Sequence, residues 1–246
     1  MSQQPTESAD LPVSTTMAHL RRRKREATQA LLGDTISISD EAWQQPSRLD
    51  GWTRAHVATH IARNADGLRR VAHGLLTHSP GQMYPDPRVR DSELECGSRR
   101  GALDLQIDLD TSAGRLNDTL NYLEEAGITE SVELSPGRWM PAHHLPVARL
   151  QEVVLHHVDL DCGFDVDDIE ADIARWLLEW TSALLADRDD LPPIEIQSLS
   201  GWHARIGGPG EAHEVRGQDA PLLGWLTGRS AGEPLTGAEG LQLPTL

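Results

Sequence analysis

The chain has 246 residues, room for two domains, with 38% hydrophobic and 24% charged residues and a net charge of −16 with histidine neutral, the profile of an acidic globular protein. Phosphate recognition needs clustered Lys and Arg, so this balance argues against a nucleic-acid partner. Two cysteines, Cys96 and Cys162, make no disulfide framework, no apolar run is long enough to span a bilayer, and the polar opening MSQQPTESADLP lacks a secretory core; a reducing cytoplasm is expected.

Residues 1–13 are expected to form a disordered tail. Helical spacing then runs from Ser14 to about Leu32 and stops at Gly33, with the basic run RRRKRE, residues 21–26, expected on the exposed face. SRLDGW at 47–52 is a turn. Thr53 follows as an N-cap for a helix to about Leu76, with Val57, Ile61, Leu68, Val71 and Leu75 on one stripe. Residues 78–99, rich in Pro, Gly and charge, read as a long ordered loop. A third helix covers about Gly101 to Ala126, SPGRWMPAHHLP is a connector, and a fourth helix runs from about Val147 to Asp161. Residues 14–165 thus predict an antiparallel four-helix bundle. After CGFDVDD come a helix over about Ile169 to Asp187 and three short alternating segments, PPIEIQSL, GWHARIGG and EAHEVRGQ. A last helix runs from Pro221 to near Gly228. Residues 166–246 therefore predict a small α+β domain.

Glu152 and His156 lie four apart in the otherwise apolar QEVVLHHVDL, so both leave one face of a helix. His56 and His60 form a second such pair. Two facing helices of a bundle can turn these groups inward around one ion, and a carboxylate beside Val153, Val154 and Leu155 is costly to bury without a cation. Two imidazoles and a carboxylate suit zinc with an open position, and suit ferrous iron as well. The competing reading is a set of solvated polar residues, in a chain with 11 histidines. His143 and His144 precede the fourth helix in a Pro-bounded loop. His157 leaves that helix about 100° from His156. Asp159 and Asp161 can orient a ligand imidazole or simply mark the helix end.

Four stretches, LDGWTRAHVATHIARNA, MYPDPRVRDSE, LQEVVLHHVDL and LLGWLTGR, resemble the mycothiol-dependent maleylpyruvate isomerases, within the wider group of DinB-like metal-binding four-helix bundles. They occur in that family's order over most of the chain. The resemblance implies a metal held by His60, Glu152 and His156, choosing His60 over His56, and a functional arginine at Arg229. It implies zinc or another divalent metal and mycothiol as cofactors, and a small-molecule substrate. Neither nucleic acid nor membrane is an expected partner, and a monomer is favoured.

The implied reaction converts maleylpyruvate to fumarylpyruvate, a step of gentisate breakdown, through zinc-activated thiolate addition, rotation and elimination. A thiol cofactor as nucleophile fits a sequence that offers no catalytic cysteine, and metal coordination would deprotonate it. Arg229 would bind a substrate carboxylate or the developing enolate; the plainer reading is a helix-end cation. Arg88 and Arg90 are further candidates for anion contacts. Three alternatives remain: a mycothiol S-transferase, with the loop around Met83 and Tyr84 setting the difference; a zinc-dependent hydrolase using His56 as base; and a non-enzymatic binding protein.

Overall fold

The structure is a computed structural model and describes residues 13–241 and 243, with the exception of 80, 85 and 136. The chain divides into two compact units, Met17–Gly163 and Phe164 onward, the latter joined by residues 13–16. Most of the expected tail thus lies outside the described residues; Val13, its last member, is buried.

The first unit opens with α1, Met17–Thr35. Its core seam is Leu20, Lys24, Ala27 and Leu31, spaced four, three and four. Lys24 therefore enters the interior although it belongs to the basic run expected on the exposed face, and only 3% of it is exposed. Its ammonium donates to Asn117 Oδ1. Helix α1 also passes through Gly33, because Thr35 and Gln106 secure its end: Gln106 Nε2 donates to Leu32 O at 2.9 Å. After the short α2, Asp40–Trp43, comes α3, Arg54–Leu76, capped by Thr53. Its N3 position, usually Glu or Gln in a capping box, is His56, whose Nδ1 accepts from Thr53 N at 3.2 Å.

Residues 87–97, expected within a loop, form helix α4, Pro87–Gly97, started by the Asp86 carboxylate accepting from Arg88 N at 2.8 Å. Helix α5, Ala102–Glu125, has Gly101 as a bare N-cap, and Asp40 supplies the missing acceptor to Ala102 N at 2.5 Å. The expected connector contains a hairpin, β1 (Ser131–Ser135) against β2 (Arg138–Pro141), in antiparallel register with a bulge. Helix α6, Leu145–Asp159, completes the unit.

The four long helices pack in a ring, α1 on α5, α5 on α3, α3 on α6 and α6 on α1. This is the expected four-helix bundle, but its neighbours are not all antiparallel. Lys24 meets Asn117 while Thr35 meets Gln106, so α1 and α5 run oppositely. His60 meets Glu152 and Arg54 meets Leu160, so α3 and α6 also oppose. Arg63 bonds Asp108, and Arg69 and His73 share a cleft with Arg115 and Tyr122, so α3 and α5 are parallel. Two parallel helices in sequence require a return of roughly 35 Å for a helix the length of α3. The stretch between α3 and α5, including α4, makes that return.

Its first part lies along α3 where side chains are absent. A Cβ on Gly67 would sit 2.7 Å from Met83 Cγ, and one on Gly74 2.6 Å from Gly81 N. Arg70 donates to Met83 O at 2.5 Å and fixes the segment there.

The second unit contains α7 (Ala171–Leu185), β3 (Ile194–Ser198), β4 (His203–Ile206), β5 (His213–Gly217) and α8 (Asp219–Leu226). The sheet order is β4-β3-β5, with β4 antiparallel and β5 parallel to β3. Ile194, Ile196, Ile206 and Val215 form a core with Leu178, Leu185, Leu222 and Trp225. Helix α8 starts two residues before the expected Pro221, which occupies the first turn where no N–H bond is lost. Ser14, expected at the start of the first helix, instead donates from N and Oγ to Glu179 at 2.6 and 2.9 Å. The fold is α+β, a helical bundle followed by a small α+β unit.

Burial, helped by Arg149, Arg21 and Arg25, lowers the Lys24 pKa from 10.5 to about 7. The unfolded chain then binds more protons than the folded one between about pH 7 and 10.5, so this group's contribution to stability rises with pH across that window. Lys24→Met should therefore stabilise at pH 7 by about 1 kcal/mol. The gain should shrink as pH rises towards 10, read from denaturant melts of both proteins across the range.

Candidate metal centre

Two arginine clamps align the helices that carry the candidate ligands. From α6, Arg149 donates to Ile61 O and Asn64 Oδ1 on α3, each at 2.8 Å. From α3, Arg54 donates to Leu160 O at 2.8 Å and Asp161 O at 2.7 Å, beyond the end of α6. Between the clamps, His60, Glu152 and His156 converge, with one ligand atom from each inside a 4.8 Å group.

The Glu152 carboxylate is the hub. Its Oε2 lies 3.3 Å from His60 Nε2 and 3.4 Å from His156 Nε2, and the side chain is 31% exposed. Asp159, 1% exposed, lies 2.8 Å from His156 Nδ1, a carboxylate acceptor that favours a proton on Nδ1, while Nε2 is the atom directed at Glu152. The two imidazoles meet nearly edge-on, with centroids 4.6 Å apart. Trp52 covers the other side of His60 at 5.5 Å.

Burial pushes the His60 pKa down, favouring the neutral ring that metals bind. Burial alone would raise that of Glu152, but the hydrogen bonds from His156 and His60 outweigh it and hold the carboxyl well below its usual range. His156 moves up, because its bonds to Asp159 and Glu152 outweigh burial. The cluster thus presents an ionised carboxylate and two imidazole nitrogens at one point. Ligands about 2.1 Å from a tetrahedral ion stand roughly 3.4 Å apart. The Glu152–His separations already match that spacing, so these residues fit a divalent metal.

Other candidates go elsewhere. His56 Nδ1 caps α3 and its Nε2 lies 3.6 Å from Glu95 Oε1. His157 points to Asp34, 3.1 Å away, and the rings of His143 and His144 pack on each other at 4.4 Å. Asp161 pairs with Arg48 and Arg54 at the helix end. Cys96 and Cys162 are free thiols, and burial raises the pKa of Cys162, away from thiolate. Arg229 is in the second unit, where its backbone N donates to Gly224 O at 2.7 Å and its guanidinium to Thr227 O at 2.6 Å, closing the C-terminus of α8.

Arg149 was not among the sequence candidates, although a cation inside the apolar LPVARLQEVV stretch signals a buried partner. Burial lowers its pKa to about 10, leaving it charged at neutral pH beside Glu152. Trp52, the aromatic wall of His60, gave no signal beyond its place in the GWT turn.

Fold and site together define a helical bundle with a candidate metal-binding triad, followed in the chain by a small α+β unit. The family model described as "Mycothiol maleylpyruvate isomerase N-terminal domain" matches residues 18–161, and the chain belongs to this enzyme family. It is similar to the crystal structure of the mycothiol-dependent maleylpyruvate isomerase, with a TM-score of 0.80 and 23% identity over 94% of this chain and 95% of that one. A histidine-to-alanine mutant of that isomerase matches with the same TM-score and coverage at 22% identity. No curated protein matches. No described helix is long and apolar enough to cross a membrane.

Three substitutions grade the site. His60→Ala or His156→Ala should abolish stoichiometric metal in the purified protein, measured by elemental analysis. Asp159→Asn should keep the ligands but weaken metal affinity roughly 10- to 100-fold in a chelator competition, the usual cost of losing such a partner.

Proposed function

We propose that this protein is a mycothiol-dependent maleylpyruvate isomerase, converting the cis alkene to fumarylpyruvate within gentisate breakdown in a reducing cytoplasm. The observation that carries the reading is the convergence of His60, Glu152 and His156 on one point, in a bundle of this family. These residues would hold zinc as two nitrogen ligands and one oxygen ligand, leaving a position for the thiol. When bound, metal and mycothiol would supply an activated thiolate, the nucleophile for reversible addition to the conjugated alkene.

The chain's own residues prepare that chemistry. Asp159 holds the proton on His156 Nδ1 and keeps Nε2 available. Arg149 offsets the charge of Glu152 and fixes the spacing of α3 and α6. Trp52 screens His60 from water on one side. Arg229 would bind a substrate carboxylate or the carbonyl oxygen on which negative charge builds; a planar guanidinium suits either. His56, committed to the helix cap and to Glu95, is poorly placed to serve as a hydrolytic base.

The direct test is maleylpyruvate turnover by zinc-loaded protein with and without mycothiol. Turnover is expected only with the thiol. Turnover without it would favour a hydrolytic or thiol-independent enzyme, and none in either condition would move the assignment to S-transfer on another electrophile. Arg229→Ala should keep metal and fold but lose turnover by roughly 100-fold, the scale of removing one charge-stabilising donor; unchanged turnover would remove Arg229 from the mechanism.

A further inference from the structure

The return segment between α3 and α5 brings a second set of polar groups towards the candidate ligands. Its start is pinned along α3 by the glycine crossings and by Arg70. Helix α4 then packs on the beginning of α3, with Gly97 so close to Thr59 that a Cβ would collide with its methyl group, and with Glu95 beside His56. Tyr84 and Arg90 sit between these fixed ends. The Arg90 guanidinium carbon stands 5.3 Å from the Tyr84 ring centroid, and the two side chains share a hydrogen bond. Both feel the cluster. After burial, the Glu152 charge is the main cause that raises the Tyr84 phenol. Arg90 lies within electrostatic range of His60.

The neighbouring arginines are already engaged. Arg88, 91% exposed, is held by Asp86 at 3.0 Å. Arg63 bridges Asp66 and Asp108 at 3.1 and 2.5 Å. Arg54 and Arg149 clamp backbone carbonyls. Among the described residues, Arg90 has no carboxylate within ion-pair distance, in a chain with 38 acidic residues. A guanidinium resting on an aromatic face, with its donor fork not taken up by an internal carboxylate, is preorganised for a planar carboxylate from outside.

We propose that Arg90, steadied by Tyr84, binds a substrate carboxylate and makes the metal centre selective for conjugated alkenes that carry one. This rests on reading the centre as the site of thiol-dependent isomerisation. It gives the site a carboxylate receptor on the first unit itself, besides the role assigned to Arg229, and it separates Arg90 from Arg88, two residues apart on the same helix.

The test uses zinc-loaded full-length protein as wild type, Arg90→Gln, Arg90→Lys, Tyr84→Phe and, as control, Arg88→Gln. Maleate is titrated calorimetrically without thiol, and maleylpyruvate kinetics are measured with it. Arg90→Gln should weaken maleate binding and raise the maleylpyruvate KM by roughly tenfold to a hundredfold, the range for a lost charged hydrogen bond. Its zinc content, melting temperature and thiol KM should hold. Arg90→Lys should recover part of the affinity, because the charge remains and the fork does not. Tyr84→Phe should show a smaller loss, and Arg88→Gln none. Maleate binding by Arg90→Gln equal to wild type, an effect on the thiol KM instead, or no maleate binding by wild type would overturn the proposal. Arg90-dependent maleate binding without thiol-dependent turnover would overturn the proposed reaction and leave the carboxylate site standing.

Discussion

A carboxylate inside a helical bundle must have positive charge or donated hydrogen bonds around it, and Glu152 imposes that requirement on everything near it. Its sequence neighbours Val153, Val154 and Leu155 are buried, so the peptide that carries it belongs to the core. His60 approaches from α3 and His156 from one turn along α6, while Arg149 lends a buried cation. Each recruit needs its own partner in turn: Asp159 for His156, and Ile61 O and Asn64 for Arg149. The chain of satisfied groups ends on a backbone carbonyl and a side-chain amide of α3, which makes the helix spacing and the polar cluster one problem with one solution. A lone proton can bridge only one imidazole to Glu152 at a time, whereas a divalent ion engages all three donors at once.

The bundle's connectivity has a functional side. Parallel α3 and α5 cannot be joined by a tight turn, so the chain spends the residues between them on a return. A return that long can remain a passive strap. Here it packs onto α3 and delivers an aromatic ring and a guanidinium to the electrostatic neighbourhood of the candidate ligands. Helix direction and site composition are therefore linked: an up-down bundle with short loops would have no chain to place there.

Much of this was legible in the residues, and the rest was hidden for identifiable reasons. The four long helices, the three strands of the second unit and the four-residue spacing of Glu152 and His156 follow from periodicity. Spacing left His56 and His60 equivalent. What separates them is local, since Thr53 needs a partner at N3 and His56 supplies it, while His60, one turn on, faces α6. Helix α4 has no apolar stripe to betray it, although Asp86 before Pro87 is a sound helix start. Lys24 was hidden by its neighbours. Four other basic residues in RRRKRE suggest a solvated run, yet the Leu20–Leu31 seam passes through Lys24. The parallel pairing of α3 with α5 depends on long-range contacts such as Arg63 with Asp108, which no local pattern encodes.

The glycines at 67 and 74 extend the reach of the site beyond the residues that touch it. Neither has a charge, a ligand atom or a positive φ that only glycine tolerates. Their role is to be thin, so that one segment of chain can lie directly on another. A methyl group at either would act as a shim, lifting the strap and tilting Tyr84 and Arg90 while leaving His60, Glu152 and His156 in place. Substrate range in such an enzyme could thus drift through changes at positions that no inspection of the active-site lining would pick out, with the candidate triad and the fold passing unaltered to the descendants.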